Sequence, residues 1–351
     1  MHGGDIYRNK IDYDFSVNVN PLGLPEACQA ALMRVPGVCS VYPDCEGSEL
    51  VEILAKRLGV SPENIVISNG AAELIYHLAA VIRLENGGGF RALTPAPTFT
   101  EYEAAVTAFG GCMDYYMADE RDGFILREDI LKFITKDHKL VFICNPNNPT
   151  GRCADKGLML RIAKRCAEVG AILVADECFV QFTENEAGIS LVPEISENKN
   201  IIVLQAFTKT YAMAGLRLGY GVTSDRRLID KISAISQPWE TSGVAQLLGK
   251  LALTDDAYLA KTKTNTRLER EYLMEQMRSL KVERIFDSEA NFIMFKADET
   301  LYHRLYARGI MIRCLEDMKG LGKEYYRIGI RSHRDNQELI KRWKNIISDL
   351  K

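Results

Sequence analysis

Between residues 47 and 235 the chain repeats one unit, a short apolar run followed by a longer helical pattern. The runs fall at 65–68, 90–94, 140–144, 171–175 and 201–205; the helical patterns fall at 48–58, 71–82, 99–108, 155–169 and 225–235. The runs are continuously apolar instead of alternating, which marks strands buried on both faces. Strands separated by helices imply right-handed crossovers, and so an α/β fold with a mostly parallel sheet flanked by helices.

After an amphipathic stretch at 255–280 the rhythm changes. Strands at 291–296 and 325–331 alternate with helices at 299–308 and 335–350, which reads as a smaller α+β domain. The start of the chain reads as an arm: Asn18-Val19-Asn20-Pro21-Leu22-Gly23 is turn chemistry, followed by a helical pattern at 25–33. A length of 351 residues suits about two domains. The expected organisation is an arm over 1–45, a large domain over 46–240 and a small C-terminal domain over 241–351.

Composition narrows the function. Lys plus Arg number 44 against 47 Asp plus Glu, a net charge of −3, which argues against a nucleic-acid binder working through bulk charge. No run approaches the ~18 apolar residues of a membrane helix, and the polar start Met1-His2-Gly3-Gly4-Asp5 lacks a signal-peptide core. The nine cysteines include no Cys-x-x-Cys, which fits a reducing cytoplasm. The five histidines are dispersed, so no metal site is expected.

Ligands of open α/β sheets sit beyond the C-terminal strand ends, so the residues after each run matter most. Neither a P-loop nor a Gly-x-Gly-x-x-Gly turn occurs there. After 65–68 comes Asn69-Gly70-Ala71-Ala72-Glu73, whose backbone N–H groups suit a phosphate, or simply form a βα turn. After 140–144 comes the rigid loop Asn145-Pro146-Asn147-Asn148-Pro149-Thr150-Gly151. After 171–175 comes Asp176, a buried carboxylate that needs a positive partner. After 201–205 come Thr208 and Lys209, then Arg217. A lysine among apolar neighbours is a candidate Schiff-base former, because desolvation lowers its pKa; taken alone it reads more readily as a solvated loop lysine.

Together these segments resemble the fold-type I pyridoxal-phosphate (PLP) enzymes in their class I/II aminotransferase branch. Asn148, Asp176 at 28 residues on, Lys209 at 33 more and Arg217 at 8 more reproduce that family's order and spacing, and the resemblance covers nearly the whole chain. It implies a large PLP-binding domain plus a smaller one, with the arm joining the small domain and the active site. It implies that Lys209 forms the Schiff base and shuttles the Cα proton, and that Asp176 pairs with the pyridinium nitrogen. Asn148 would bond the ring O3′, Phe99 would stack on the ring, and Ala71, Ala72, Thr208 and Arg217 would hold the cofactor phosphate. Tyr42 resembles a tyrosine that family dimers lend to the neighbouring subunit's site, so the resemblance implies a homodimer with shared active sites and a small amino-acid substrate.

Within the branch, His2-Gly3-Gly4-Asp5 and Asp14-Phe15-Ser16-Val17-Asn18-Val19-Asn20-Pro21-Leu22-Gly23 are similar to the threonine-phosphate decarboxylases of cobalamin biosynthesis. The neighbouring alternative is the histidinol-phosphate aminotransferases, which work with 2-oxoglutarate and glutamate. The resemblance implies that His2, Gly3 and Asn20 receive a substrate phosphate, that Arg331 clamps the carboxylate and that Arg313 assists. Phe179, where many aminotransferases carry a tyrosine, points to the decarboxylases. Glu240-Thr241-Ser242-Gly243 and Ala71-Ala72 depart from the decarboxylase pattern and leave the reaction type open. A non-catalytic PLP-binding protein is a third reading, opposed by the presence of both Lys209 and Asp176.

Overall fold

The computed structural model describes residues 3–8, 10–280 and 282–348. His2 lies outside the described residues. A two-residue strand β1 (Tyr13–Asp14) is followed by β2 (Ile65–Ser68), β3 (Arg91–Ala96), β4 (Cys112–Met117), β5 (His138–Cys144), β6 (Ile172–Asp176), β7 (Ile201–Ala206) and β8 (Gly219–Val222). β2 to β8 form one sheet in the order β2-β8-β7-β6-β5-β3-β4. Pairing from β4 through β7 is parallel, and only β8 runs antiparallel to its neighbours β7 and β2.

Both faces of this sheet are buried, which explains the continuous apolar runs. Val141, Ile143, Leu173 and Val203 pack toward helices Ser48–Leu58, Lys156–Val169 and Gly243–Ala252. Their neighbours Leu140, Phe142, Val174, Ile202 and Leu204 pack toward helices Ala71–Asn86, Glu101–Ala108 and Arg226–Ile235. Side chains of Asp155, Asp225, Ser242 and Asp255 cap four of the helices, accepting from backbone N–H groups of the first turn.

A second sheet of antiparallel strands, β12-β13-β10-β9, is formed by β9 (Val282–Ile285), β10 (Phe292–Ala297), β12 (Arg313–Cys314) and β13 (Tyr325–Gly329). Between β10 and β12 lies β11 (Ile310–Met311), to which β1 adds in parallel. Phe15 then enters the core built from Phe295, Tyr326 and Trp343. Further on, Asn20 ties the chain to the large sheet: its N–H donates to Lys209 O at 3.0 Å and its Nδ2 to Thr210 O at 2.7 Å.

Some boundaries differ from the sequence reading. The helix expected at 99–108 starts at Glu101, and the strand expected at 325–331 ends at Gly329. β4 is an edge strand with a half-buried pattern, so Cys-Met-Asp-Tyr-Tyr-Met shows no apolar run. β8 carries two glycines; a Cβ on Gly219 would stand 2.3 Å from Ala71 N, so only glycine lets this strand meet the helix start. No helix among the described residues is long and apolar enough to cross a membrane.

Candidate active site

A cavity of about 420 Å3 opens where β3, β5, β6 and β7 end, lined among others by Phe99, Asn148, Asp176, Thr208 and Lys209. Lys209 sits on the one-turn helix Phe207–Thr210 that follows β7. Its ammonium has no hydrogen bond or ion pair among the described residues. Burial first, then the charge of Arg327, lowers its pKa from 10.5 to about 8. About a tenth of the amine is then unprotonated at pH 7, far more than for an ordinary lysine, and that is the form a carbonyl-reactive lysine needs.

Asp176 ends β6 and is 5% exposed. Its Oδ2 accepts from the Tyr102 hydroxyl at 2.6 Å and its Oδ1 from Cys178 N at 3.1 Å. No cationic side chain pairs with it among the described residues, so the positive partner that a buried carboxylate requires is left for a ligand to supply.

Ala71 and Ala72 open a 16-residue helix, and both line the cavity. Gly70 precedes them at φ 89°, and a Cβ there would stand 2.7 Å from Arg217 Nη2. Arg217 thus lies against the helix start, with no carboxylate partner among the described residues. A helix N-terminus with a spare guanidinium beside it makes an anion cradle.

Asn148 is fixed by its loop. Asn147 Nδ2 donates to Pro97 O and to Thr150 Oγ1, each at 3.0 Å, and Ala154 N donates to Asn145 Oδ1 at 2.9 Å. Arg327 enters from the small sheet and donates to Asn148 Oδ1 through Nη1 and to Ser16 O through Nη2. Its Nε is buried without a partner among the described residues. Burial first, then the charge of Arg313, lowers the Arg327 pKa to about 9. Arg313 and Arg327 are directly opposed across β12 and β13, and both are 7% exposed. Opposed like charges destabilise a sheet, so this pair suits a place that receives anions.

Residues 10–342 match the aminotransferase class I and II family. The chain belongs to that family. It is 33% identical to a threonine-phosphate decarboxylase from Salmonella typhimurium over 96% of this chain and 92% of that protein. It superposes on a histidinol-phosphate aminotransferase from Clostridium acetobutylicum with a TM-score of 0.89 and 27% identity, covering 96% of this chain and 100% of the other. An L-threonine-O-3-phosphate decarboxylase from Porphyromonas gingivalis gives 0.82 and 25%, with the same coverage.

Enzymes of the class I and II aminotransferase family depend on pyridoxal phosphate, and the residues present fit that group. One cavity holds a buried amine without a partner, a buried carboxylate without a cation and an anion cradle at a helix start. These match in turn an aldehyde, a pyridinium and a phosphate. Lys209, Asp176, Asn148, Phe99, Thr208, Ala71, Ala72 and Arg217 all line this cavity, as do Gly3 and Arg313.

Two residues expected at the site, Arg331 and Asn20, lie elsewhere, whereas Tyr42 was expected only at a neighbouring subunit's site. Arg331 is not a cavity residue: Nε donates to Asp335 Oδ2 and Nη1 to Asp14 O, each at 3.0 Å. The strand has already ended at Gly329, so Arg331 belongs to the turn before helix His333–Ser348 and pairs with its first turn. Arg327, four residues earlier, lines the cavity instead. Asn20 is a bolt between segments, with its Nδ2 spent on Thr210 O and on Thr262 Oγ1 at 2.8 Å; Asn18 faces the cavity in its stead. Tyr42 is 78% exposed and packs at a tilt against Trp239 with centroids 4.4 Å apart, outside its own chain's cavity. Glu240 does not enter the cavity either, and meets Glu73 and His77.

Proposed function

We propose that this PLP-dependent enzyme decarboxylates a phosphorylated amino acid, O-phospho-L-threonine, to 1-amino-2-propanol phosphate and CO2. One observation carries the reading: Gly3, Ser16, Val17 and Asn18 line the cavity together with Arg313. This is the segment whose sequence separates the decarboxylase resemblance from its neighbours, and it faces the end where two arginines stand opposed.

Pyridoxal phosphate, when bound, supplies an electron sink for the pair left on Cα as one of its bonds breaks. The protein does the rest by positioning. Arg327 binds the substrate carboxylate with its partner-free Nε, and Arg313 receives the distal anionic group. Asp176 keeps a positive charge at the base of the site, while Phe99 and Phe179 wall it from water. Lys209 Nζ, once free, holds the proton that is returned to Cα.

A second copy of the chain completes the assembly in this reading. Met33, Val41, Tyr42 and Trp239 are exposed by 88%, 68%, 78% and 44%. Covering these apolar side chains would bring Tyr42 to a neighbour's site. The nine unpaired cysteines suit a reducing compartment, the cytoplasm.

The closeness to the Clostridium acetobutylicum aminotransferase favours a second reading, amino transfer from a donor such as histidinol phosphate. One experiment separates them. PLP-loaded protein is incubated with O-phospho-L-threonine, with and without 2-oxoglutarate, and the products are identified by mass spectrometry. CO2 loss without the keto acid supports decarboxylation; glutamate that appears only with added keto acid makes the protein an aminotransferase.

A further inference from the structure

Arg313 does not wait for its ligand unaccompanied. Its Nη2 donates to both oxygens of Asp317, each at 2.8 Å, and its Nη1 to Cys314 O at 2.5 Å. Asp317 follows four residues after Arg313 and is one-third exposed, whereas the arginine side chain is 8% exposed. Asp317 also borders a second cavity of about 310 Å3, which shares Gly3, Ser16 and Arg313 with the active site.

We propose that Asp317 is a specificity-determining residue at the anion end of the active site, setting how strongly Arg313 receives the distal group of the substrate. This rests on the placement of that group at Arg313 given above. Asp317 balances one of two opposed, buried guanidiniums. An arriving phosphate must bind beside that carboxylate or displace it into the second cavity. Either course weakens the complex relative to a site where Arg313 stands alone, and the loss grows with the charge of the ligand. A substrate without a distal anion meets no such opposition.

The Asp317→Asn variant isolates the charge, because the amide oxygen still accepts from Nη2 and keeps the guanidinium oriented. Cofactor-loaded wild type and variant are titrated with inorganic phosphate by calorimetry. O-phospho-L-threonine and L-threonine are titrated through the cofactor absorbance. The variant is expected to bind phosphate and O-phospho-L-threonine about tenfold more tightly, with L-threonine moving less than threefold. Asp317→Ser, which removes the charge with a smaller side chain, must shift phosphate binding in the same direction. Equal or weaker phosphate binding by the folded variants overturns the role of Asp317. Tighter phosphate binding with no binding of O-phospho-L-threonine by wild type upholds that role and rejects the substrate instead.

Discussion

The Tyr102 hydroxyl donates to Asp176 Oδ2 at 2.6 Å beneath the active-site cavity, and neither residue is more than 5% exposed. Tyr102 is held by stacking on Phe142 and by an edge-on contact with Phe99. Burial first, then the neighbouring Asp176 charge, raises the phenol pKa well above its ordinary value, so Tyr102 remains a donor. With Cys178 N on the other oxygen, two donors hold the carboxylate in place. Tyr102→Phe keeps the ring and removes a hydrogen bond to a charge, worth roughly 1.5–3 kcal/mol. We expect cofactor dissociation to become at least about tenfold more favourable and the absorbance of the bound cofactor to change its pH dependence. Wild-type values for both would reduce Tyr102 to packing.

Lys209→Ala is expected to abolish turnover while cofactor is still retained through Arg217, Asp176 and Asn148; measurable turnover would remove Lys209 from the chemistry. The lysine also leaves a trace in the cofactor-free protein. Its pKa falls from 10.5 to about 8 on folding. Between those values the unfolded chain binds more protons than the native one, so stability rises with pH across the window and is lost as pH falls through 8. The gain is at most about 3 kcal/mol. Urea unfolding at pH 7.5 and pH 10 should show this slope in wild type and not in Lys209→Met.

The large sheet was legible in the sequence because its strands are buried on both faces. Leu140 to Cys144 alternate between two cores, so every position is apolar. β4 escaped for the converse reason, since an edge strand keeps polar positions. Asp176 stood out because it directly follows an apolar run, and Lys209 because it comes four residues after one. The arginine proposed to bind the carboxylate was harder. Arg327 and Arg331 stand four residues apart in one segment, and only the strand end at Gly329 and the pairing of Arg331 with Asp335 separate them. The Arg313–Arg327 opposition depends on antiparallel register, which no local pattern displays.

That distinction is directly testable. Arg327→Ala is expected to weaken amino-acid binding by two orders of magnitude or more, because a buried group hydrogen-bonded to a charge typically costs about 3 kcal/mol or more to remove. Arg331→Ala is expected to leave that affinity within about threefold and to lower stability by about 1 kcal/mol, through loss of its part-exposed contacts with Asp335 and Asp14 O. Titration of the cofactor band with amino acid, alongside thermal unfolding, reads both. The reverse pattern would return the carboxylate to Arg331.

Glu177, next to Asp176, poses the opposite electrostatic problem. Its carboxylate accepts from Leu191 N and Ser190 Oγ, each at 2.7 Å, and from Gln205 Nε2 at 3.1 Å, all of which favour ionisation. Burial outweighs them and raises its pKa from 4.5 to about 7. The native protein therefore binds more protons than the unfolded chain between those values. Stability falls as pH rises through the window, by at most about 3 kcal/mol, opposite in sign to Lys209. Glu177→Gln removes the titration, at the cost of mismatching one of the three donors. The stability of wild type relative to this variant should thus decline from pH 5 to pH 8, as measured by urea unfolding. A constant difference would mean that the three donors prevail over burial and that Glu177 is ionised throughout.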